Sequence, residues 1–136
     1  MKRVFIDTGA FFAHLIADDI ENPRARRAFE QARMDSWQLI TTNAVVIETY
    51  ALLVNRARNG RTFAIAFLDA LDLGFCKVEW VSREDESLAI ALVRTHHDKT
   101  YSLCDAMSFV VMERLNITNA IAFDRHFAEY GRFALL

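Results

Sequence analysis

Short apolar runs alternate with longer helical segments along this chain, and that alternation most constrains its fold. Each run is long enough for one buried strand and too short for a helix. Strands separated by helices need crossover connections, which favours a mainly parallel sheet covered by helices on both faces. The sequence therefore predicts an α/β fold, with strands at Arg3–Ile6, Gln38–Thr41, Cys76–Val81, Ala120–Phe123 and Arg132–Leu136.

The predicted helices follow from start and stop signals. They cover about residues 11–17, 23–34, 44–56, 61–73, 83–97, 103–115 and 125–129. Asn43 is expected to cap the third helix, while Ser82 and Ser102 are expected to cap the fifth and sixth. At 136 residues, the chain is predicted to form one domain, residues 1–136, around one core.

Composition indicates the cellular compartment of the protein more clearly than its function. A net charge of −2 neither indicates nor excludes a nucleic-acid partner, because a few clustered arginines matter more than the total. Cys76 and Cys104 are far apart and have no metal-ligand spacing, as expected of two incidental thiols in a reducing compartment. No apolar run has the length of a signal-peptide core or a membrane span, so we expect a cytoplasmic protein with no membrane partner.

Four carboxylates interrupt or end apolar segments. They are Asp7, Glu48, Asp105 and Asp124. An ionised carboxylate in apolar surroundings costs several kcal/mol or more unless it is paired, hydrogen-bonded or bound to a metal. Four such residues, each in its own segment, predict a site for a divalent metal ion, and Mg²⁺ and Mn²⁺ are the ions that prefer oxygen ligands.

The predicted elements bring these acids towards one place. Asp7 and Asp124 follow strands, and ligands of open α/β sheets bind at the carboxyl ends of strands. Glu48 and Asp105 lie in the first turns of helices, where the helix dipole favours a negative charge by about 0.3–1 kcal/mol. Four acids are enough for one ion with supporting groups, or for two ions. The reaction that such a site suits best is metal-dependent hydrolysis of a phosphodiester.

Four motifs in order resemble those of PIN-domain ribonucleases, and most of all the single-domain PIN proteins of bacterial VapBC toxin–antitoxin pairs. The motifs are Ile6-Asp7-Thr8, Thr42–Thr49, Ser102–Ala106 and Phe123–Phe127. The resemblance implies a three-layer α/β/α sandwich forming a single PIN-like nuclease domain over residues 1–136. It also implies a metal-dependent endoribonuclease that uses Mg²⁺ or Mn²⁺ to cleave RNA. As partners it implies an antitoxin protein and a second copy of the chain, in a homodimer.

Carried over by position, Asp7, Glu48, Asp105 and Asp124 are the catalytic and metal-binding quartet. Cys104 departs from the family pattern, in which a serine or threonine often precedes the third acid. We expect this change to weaken the ordering of water around the metal without removing a ligand. Beside the quartet, Thr8 and Arg125 are candidates for contacts with a metal-bound water or a substrate phosphate, although a turn hydroxyl and a solvated arginine are ordinary alternatives.

Simpler roles compete with each assignment. Asp7 and Asp124 would also serve as helix caps, Asp105 as a helix-dipole partner, and Glu48 as half of a buried ion pair. His126 is expected to be a packed surface histidine. The remaining acids, among them Glu84, Asp85, Glu86 and Asp98, are expected to be solvated.

Two other functional classes remain open from the sequence. The first is a non-catalytic RNA- or protein-binding PIN-like module. The second, a phosphatase of the haloacid-dehalogenase kind, is disfavoured because Gly9 stands where that class has its second aspartate. The helix predicted at 61–73 is apolar on most sides, so core packing, a second copy or an antitoxin helix must cover it.

Overall fold

The computed structural model describes all residues, 1–136, as seven helices and five strands. The strands are β1 (Arg3–Ile6), β2 (Gln38–Thr42), β3 (Lys77–Glu79), β4 (Asn119–Ile121) and β5 (Ala134–Leu135). The helices are α1 (Thr8–Leu15), α2 (Asn22–Met34), α3 (Asn43–Arg56), α4 (Gly60–Asp72), α5 (Arg83–Thr95), α6 (Leu103–Arg114) and α7 (Arg125–Tyr130). The predicted elements are all present. The last three strands are shorter than expected, and α1 begins directly after Asp7.

The five strands form one parallel sheet in the order β3-β2-β1-β4-β5. Right-handed crossovers in this order place α1 to α4 on one face and α5 to α7 on the other. The three-layer α/β/α prediction is therefore confirmed, and every strand pair is parallel. From β1 the chain adds β2 and β3 on one side of the sheet and then crosses over to add β4 and β5 on the other side. The carboxyl ends of β1 and β4 therefore form the topological switch point.

The core lies on both faces of β1. Val4, Phe5 and Ile6 are fully buried, because neighbouring strands and both helical layers cover them. On one face the rings of Phe11 and Phe67 meet edge to face at 5.0 Å. On the other face Phe109 and Phe127 do the same at 4.9 Å. The first pair joins α1 to α4 and the second joins α6 to α7, so each stabilises the packing of two helices within one layer.

Two of the three predicted caps are correct. Ser82 and Ser102 each form a capping box with the aspartate three residues later. The third prediction is wrong, because Thr42 and not Asn43 caps α3 by accepting a hydrogen bond from the Val45 backbone N–H at 3.2 Å. The Asn43 side chain instead accepts a hydrogen bond from the Val81 N–H at 2.8 Å, which ties the start of α3 to the segment after β3.

Asp85 corrects a second expectation, since it is buried and not solvated. Its carboxylate accepts hydrogen bonds from Arg114 Nε at 2.9 Å and Nη2 at 2.8 Å, so a two-point ion pair joins α5 to α6. The sequence does not reveal this pair, because Asp85 also has the ordinary position of a capping-box acid.

Helix α4 buries one side only. Phe67 is enclosed in the core, whereas Phe63 and Ile65 are 36% and 37% exposed. Core packing thus accounts for part of this apolar helix and leaves the rest at the surface. No helix combines the length and apolar character needed to cross a membrane.

Candidate active site

Asp7 lies at the carboxyl end of β1 and is buried. It occupies the cap position of α1, but its side chain makes no capping hydrogen bond, so the simple cap role is not realised. Burial raises the pKa of Asp7 to about 8, and the charge of Asp105 is the second cause, with further contributions from Glu48 and Asp124. A hydrogen bond from the Thr8 backbone N–H acts in the opposite direction. The side chain is therefore an uncompensated acid facing three others.

Asp105 lies in the first turn of α6 and is also buried. Its Oδ2 atom accepts hydrogen bonds from the Ser102 N–H at 3.1 Å and from His126 Nδ1 at 2.8 Å. The alternative role of a first-turn partner to the Ser102 cap is thus real, but it uses only one of the two carboxylate oxygens. Asp105 can cap its helix and serve the acidic cluster at the same time.

Asp124 follows β4 and caps α7, with its Oδ1 atom accepting the His126 N–H at 2.8 Å. The ring atom Nδ1 of the same histidine lies 3.2 Å from that oxygen. Ligand atoms of Asp105, Asp124 and His126 consequently lie within 4.8 Å of one another. The expectation that His126 is a packed surface residue is wrong: sequence reasoning missed its contacts, and its place two residues after the fourth acid was the available signal.

Glu48 lies on the rim of the cluster. The residue is exposed, contrary to the expectation of a buried environment. Ile47 and Ala51 beside it on α3 are exposed as well, so this side of the helix faces away from the core. Its charge adds to the effect of burial in raising the pKa values of the Cys104 thiol and of Asp7. All four predicted acids are therefore close enough to interact: Asp7 and Asp105 are buried, Asp124 is partly exposed, and Glu48 is exposed.

The two additional candidates differ in position. Thr8 is buried, and its hydroxyl has no hydrogen-bond partner within the protein. Arg125 is exposed on the surface of α7, where its Nε atom lies 3.6 Å from a Glu129 carboxylate oxygen. The fold brings Thr8 into the acidic cluster and places the Arg125 side chain outside it.

The donor set fits a hard divalent cation. Carboxylate oxygens dominate the pocket, and Mg²⁺ and Mn²⁺ prefer oxygen ligands. The raised pKa of Asp7 indicates that the local negative charge lacks a protein counter-ion. A bound cation would supply that counter-ion. The hydroxyl of buried Thr8, which follows Asp7 in the chain, has no hydrogen-bond partner within the protein.

A second concave surface lies away from the acids. It encloses about 1020 Å³ between α2, the end of α1 and the segments that lead into β2 and β3. Phe29, Trp37 and Phe75 supply apolar lining, while Arg26 and Arg27 supply positive charge. None of the four predicted acids contributes to this groove.

The PIN-domain family model matches residues 4–133, so this chain belongs to the PIN-domain family. A Mycobacterium tuberculosis protein, the 23S rRNA-specific endonuclease VapC20, is 31% identical over 128 residues, which is 94% of each chain. The predicted resemblance is thereby confirmed over nearly the full length.

Solved structures agree with this assignment. The crystal structure of Mycobacterium tuberculosis VapC20, a sarcin–ricin loop cleaving toxin, superposes with a TM-score of 0.87 at 32% identity and covers 97% of this chain and 98% of that one. VapBC2 from Rickettsia felis, bound to a DNA fragment from its promoter, has a TM-score of 0.71 at 10% identity, covering 98% of this chain and 97% of that one. FitAcB from Neisseria gonorrhoeae has a TM-score of 0.67 at 12% identity, covering 98% and 96%. The last two share the fold.

Proposed function

We propose that this protein is a metal-dependent endoribonuclease that hydrolyses RNA phosphodiester bonds as the toxin of a toxin–antitoxin pair, with residues 1–136 acting as one nuclease domain. The observation that carries the proposal is the convergence of Asp105, Glu48 and Asp124 on the buried carboxyl group of Asp7. Kinship with an rRNA endonuclease over nearly the whole chain supports the same activity.

Each acid has a distinct part in this proposal. Asp7, Asp105 and Asp124 would hold Mg²⁺ or Mn²⁺, and Glu48 would complete the site from its exposed edge. A divalent ion bound there supplies positive charge that polarises a phosphodiester and makes water a better nucleophile. Buried Thr8 offers its free hydroxyl to orient water or a phosphate oxygen. Glu48, which is exposed, and Asp124, whose side chain is 37% exposed, are the members that RNA would reach first.

The proposed substrate is a structured loop of ribosomal RNA. This class follows from the relative VapC20, whose names specify 23S rRNA and the sarcin–ricin loop. A net charge of −2 means that backbone contacts must come from local clusters of arginine and not from the overall charge. Arg125, at the edge of the site on α7, remains a candidate for gripping a flanking phosphate.

The test is incubation of purified protein with 23S rRNA in Mn²⁺, Mg²⁺ or EDTA, followed by mapping of new RNA ends. We expect discrete, metal-dependent fragments from wild type and none from Asp7→Asn. Asp18→Asn, which changes an exposed acid outside the cluster, is the matched control and should cleave as wild type does. Full activity of Asp7→Asn at equal purity would overturn the assignment.

The alternative of a non-catalytic binding module makes the opposite prediction. In that case RNA would bind without being cut, and EDTA would change neither binding nor RNA integrity. The complete acidic quartet favours the nuclease, because a binding surface gains nothing from four carboxylates that repel phosphate.

Partners are proposed from exposed apolar surface. On α3, Ile47 and Val54 are 68% and 42% exposed and, together with Ala51, lie on one side of the helix. We assign this stripe to a homodimer and the aromatic groove beside α2 to an antitoxin segment. Sedimentation equilibrium should show a dimer for wild type and a monomer for Ile47→Asp. Leu73→Asp is the control, since Leu73 is 88% exposed beyond the end of α4 and should leave the dimer intact.

A further inference from the structure

One imidazole connects three separate segments of the chain at the acidic cluster. His126 Nδ1 lies 2.8 Å from Asp105 Oδ2 and 3.2 Å from Asp124 Oδ1. Its other ring nitrogen, Nε2, lies 3.1 Å from the hydroxyl of Thr100, in the loop before α6. The ring also packs edge to face against Tyr101 at 5.6 Å. With only 14% of its side chain exposed, His126 is held in one orientation.

The hydrogen-bond chemistry assigns a direction to each of these contacts. An ionised carboxylate can only accept, so the proton must be on Nδ1, which donates to Asp105 Oδ2 and lies 3.2 Å from Asp124 Oδ1. Thr100 can donate its hydroxyl hydrogen to Nε2. The Nδ1–H tautomer therefore satisfies every polar contact of the ring.

The same contacts divide the oxygens of each acid into two kinds. Asp105 Oδ2 accepts hydrogen bonds from the Ser102 N–H and from the ring of His126, and Asp124 Oδ1 accepts one from the backbone N–H of His126. The remaining oxygens, Asp105 Oδ1 and Asp124 Oδ2, take part in none of the hydrogen bonds formed within the protein. One oxygen of each carboxylate is thus anchored and the other is free.

We infer that His126 is a positioning residue that holds Asp105 through its ring Nδ1–H and Asp124 through its backbone N–H, so that the free oxygen of each is presented to a divalent cation. This inference rests on the proposed function. It gives His126 the task of bringing together two like charges that would otherwise repel. Groups that hold metal ligands in this way typically contribute 10- to 100-fold to metal affinity or activity.

Three substitutions separate the two ring nitrogens. His126→Asn keeps a donor near the position of Nδ1 and loses Nε2, whereas His126→Gln keeps a donor near the position of Nε2 and loses Nδ1. His126→Ala loses both. Thr100→Val is the matched control because it removes only the partner of Nε2.

The measurement is Mn²⁺ affinity by electron paramagnetic resonance titration, together with thermal unfolding of each protein in EDTA. We expect His126→Asn and Thr100→Val to bind Mn²⁺ close to the wild-type affinity. His126→Gln and His126→Ala should bind about 10- to 100-fold more weakly. A purely structural role would lower the melting temperatures of the Asn and Gln variants alike and would not separate their Mn²⁺ affinities.

Two results would overturn the inference while leaving the nuclease proposal in place. The first is equal Mn²⁺ affinity of wild type and His126→Gln. The second is a ¹⁴N coupling to Mn²⁺ in the wild-type electron spin echo spectrum, which would make His126 a direct ligand. Failure of wild type to bind Mn²⁺ at all would instead overturn the proposed function, and this inference with it.

Discussion

The carboxyl groups of Asp7 and Asp105 repel one another at the carboxyl end of the sheet, although the two residues come from opposite ends of the chain. Burial is the largest cause of the raised pKa of Asp7, and the charge of Asp105 comes second. The pair is consequently a source of instability in the protein without a cation, and a source of affinity for one.

The first prediction concerns stability and pH. The pKa of Asp7 is about 8 in the native protein against 3.8 for an ordinary aspartate, so the native state binds more protons between these values. The free energy of unfolding in EDTA should therefore fall as pH rises from about 4 to about 8. Asp7→Asn should remove this loss and exceed wild type at pH 8.5 by at least about 1 kcal/mol, since one pKa unit corresponds to about 1.4 kcal/mol.

Urea denaturation at pH 4.5 and pH 8.5 measures the effect. The difference in free energy of unfolding between Asp7→Asn and wild type should be much smaller at pH 4.5, where the Asp7 carboxyl group of the native protein is protonated. Asp18→Asn, at an exposed position, should follow the wild-type pH profile. A wild-type profile for Asp7→Asn as well would show that Asp7 is ionised without penalty.

The second prediction concerns metal and heat. A cation that binds only the native state stabilises it by about 2.7 kcal/mol at 100 times its dissociation constant. Millimolar Mn²⁺ should therefore raise the melting temperature of wild type by several degrees, and should raise that of Asp7→Asn much less. Differential scanning fluorimetry with Ca²⁺ as a comparison ion provides the measurement. An equal rise in both proteins would place the bound ion elsewhere.

The third prediction concerns the ion pair between α5 and α6. Arg114→Met leaves the buried carboxylate of Asp85 without its charged partner. Loss of one partner of a buried pair costs about 3–5 kcal/mol, and the 39% exposure of Arg114 places the expected loss near the lower end. Arg94→Met, at an exposed site on α5, should cost much less.

The stability difference between wild type and Arg114→Met should also depend on pH. Burial acts to raise the pKa of Asp85, but hydrogen bonds from Arg114 and Ser82 outweigh it and hold that pKa below 3.8. The stabilisation is present above the unfolded pKa and is lost as pH falls through the native value. The difference between wild type and Arg114→Met should thus shrink in acid, and an unchanged difference at pH 3 would contradict the charge-based explanation.

The fourth prediction compares two glycines. A Cβ atom on Gly60 would lie 2.0 Å from the Leu53 carbonyl oxygen, because α4 begins against the backbone of α3. Gly60→Ala should force these helices apart and cost several kcal/mol, as overpacking of rigid backbone does. Gly9 has open space around the same position, and Gly9→Ala should leave stability unchanged or raise it by up to about 1 kcal/mol. Equal free energies of unfolding for the two variants in urea denaturation would contradict the close contact between Gly60 and the Leu53 carbonyl oxygen.

The fifth prediction concerns the two thiols. Burial raises the pKa of Cys76 to about 12. Burial raises the pKa of the Cys104 thiol as well, and the carboxylates of Glu48, Asp7 and Asp105 raise it further. Because the thiolate is the reactive form, neither residue should react with iodoacetamide at pH 8.5 in the folded protein. Mass spectrometry should show both alkylated in urea; labelling of Cys104 in the native state would mean that the pocket opens.

The sequence sufficed for much of the fold because its local signals agree. Arg3–Ile6 is a strand with the predicted bounds, and Ser82 and Ser102 cap the predicted helices. Thr42 was overlooked as a cap because it also ends a strand, and the neighbouring Asn43 has the stronger cap propensity. Propensity alone does not reveal that the Asn43 side chain has a partner in a distant segment.

The sequence identifies the acids of the candidate site, but it does not reveal their exposure or their contacts. Asp7 and Asp105 each interrupt or end an apolar segment, which is a feature of the sequence itself, and the structure shows both acids buried and close enough to interact. The exposed position of Glu48 and the contacts of His126 depend on how α3, α6 and α7 pack. Two-point pairing of Asp85 with Arg114 depends on the same packing, and no spacing along the chain encodes it.

The central place of β1 in the sheet has a consequence during synthesis. Its partner β4 and two of the four acids, Asp105 and Asp124, lie in the last third of the chain, while Asp7 is made almost first. A chain still growing on a ribosome has its first strand ready but lacks the residues that complete the pocket. Under the proposed function, a nuclease built in this order cannot complete its acidic site until translation has nearly ended, and copies that end before Asp105 lack two of its four acids.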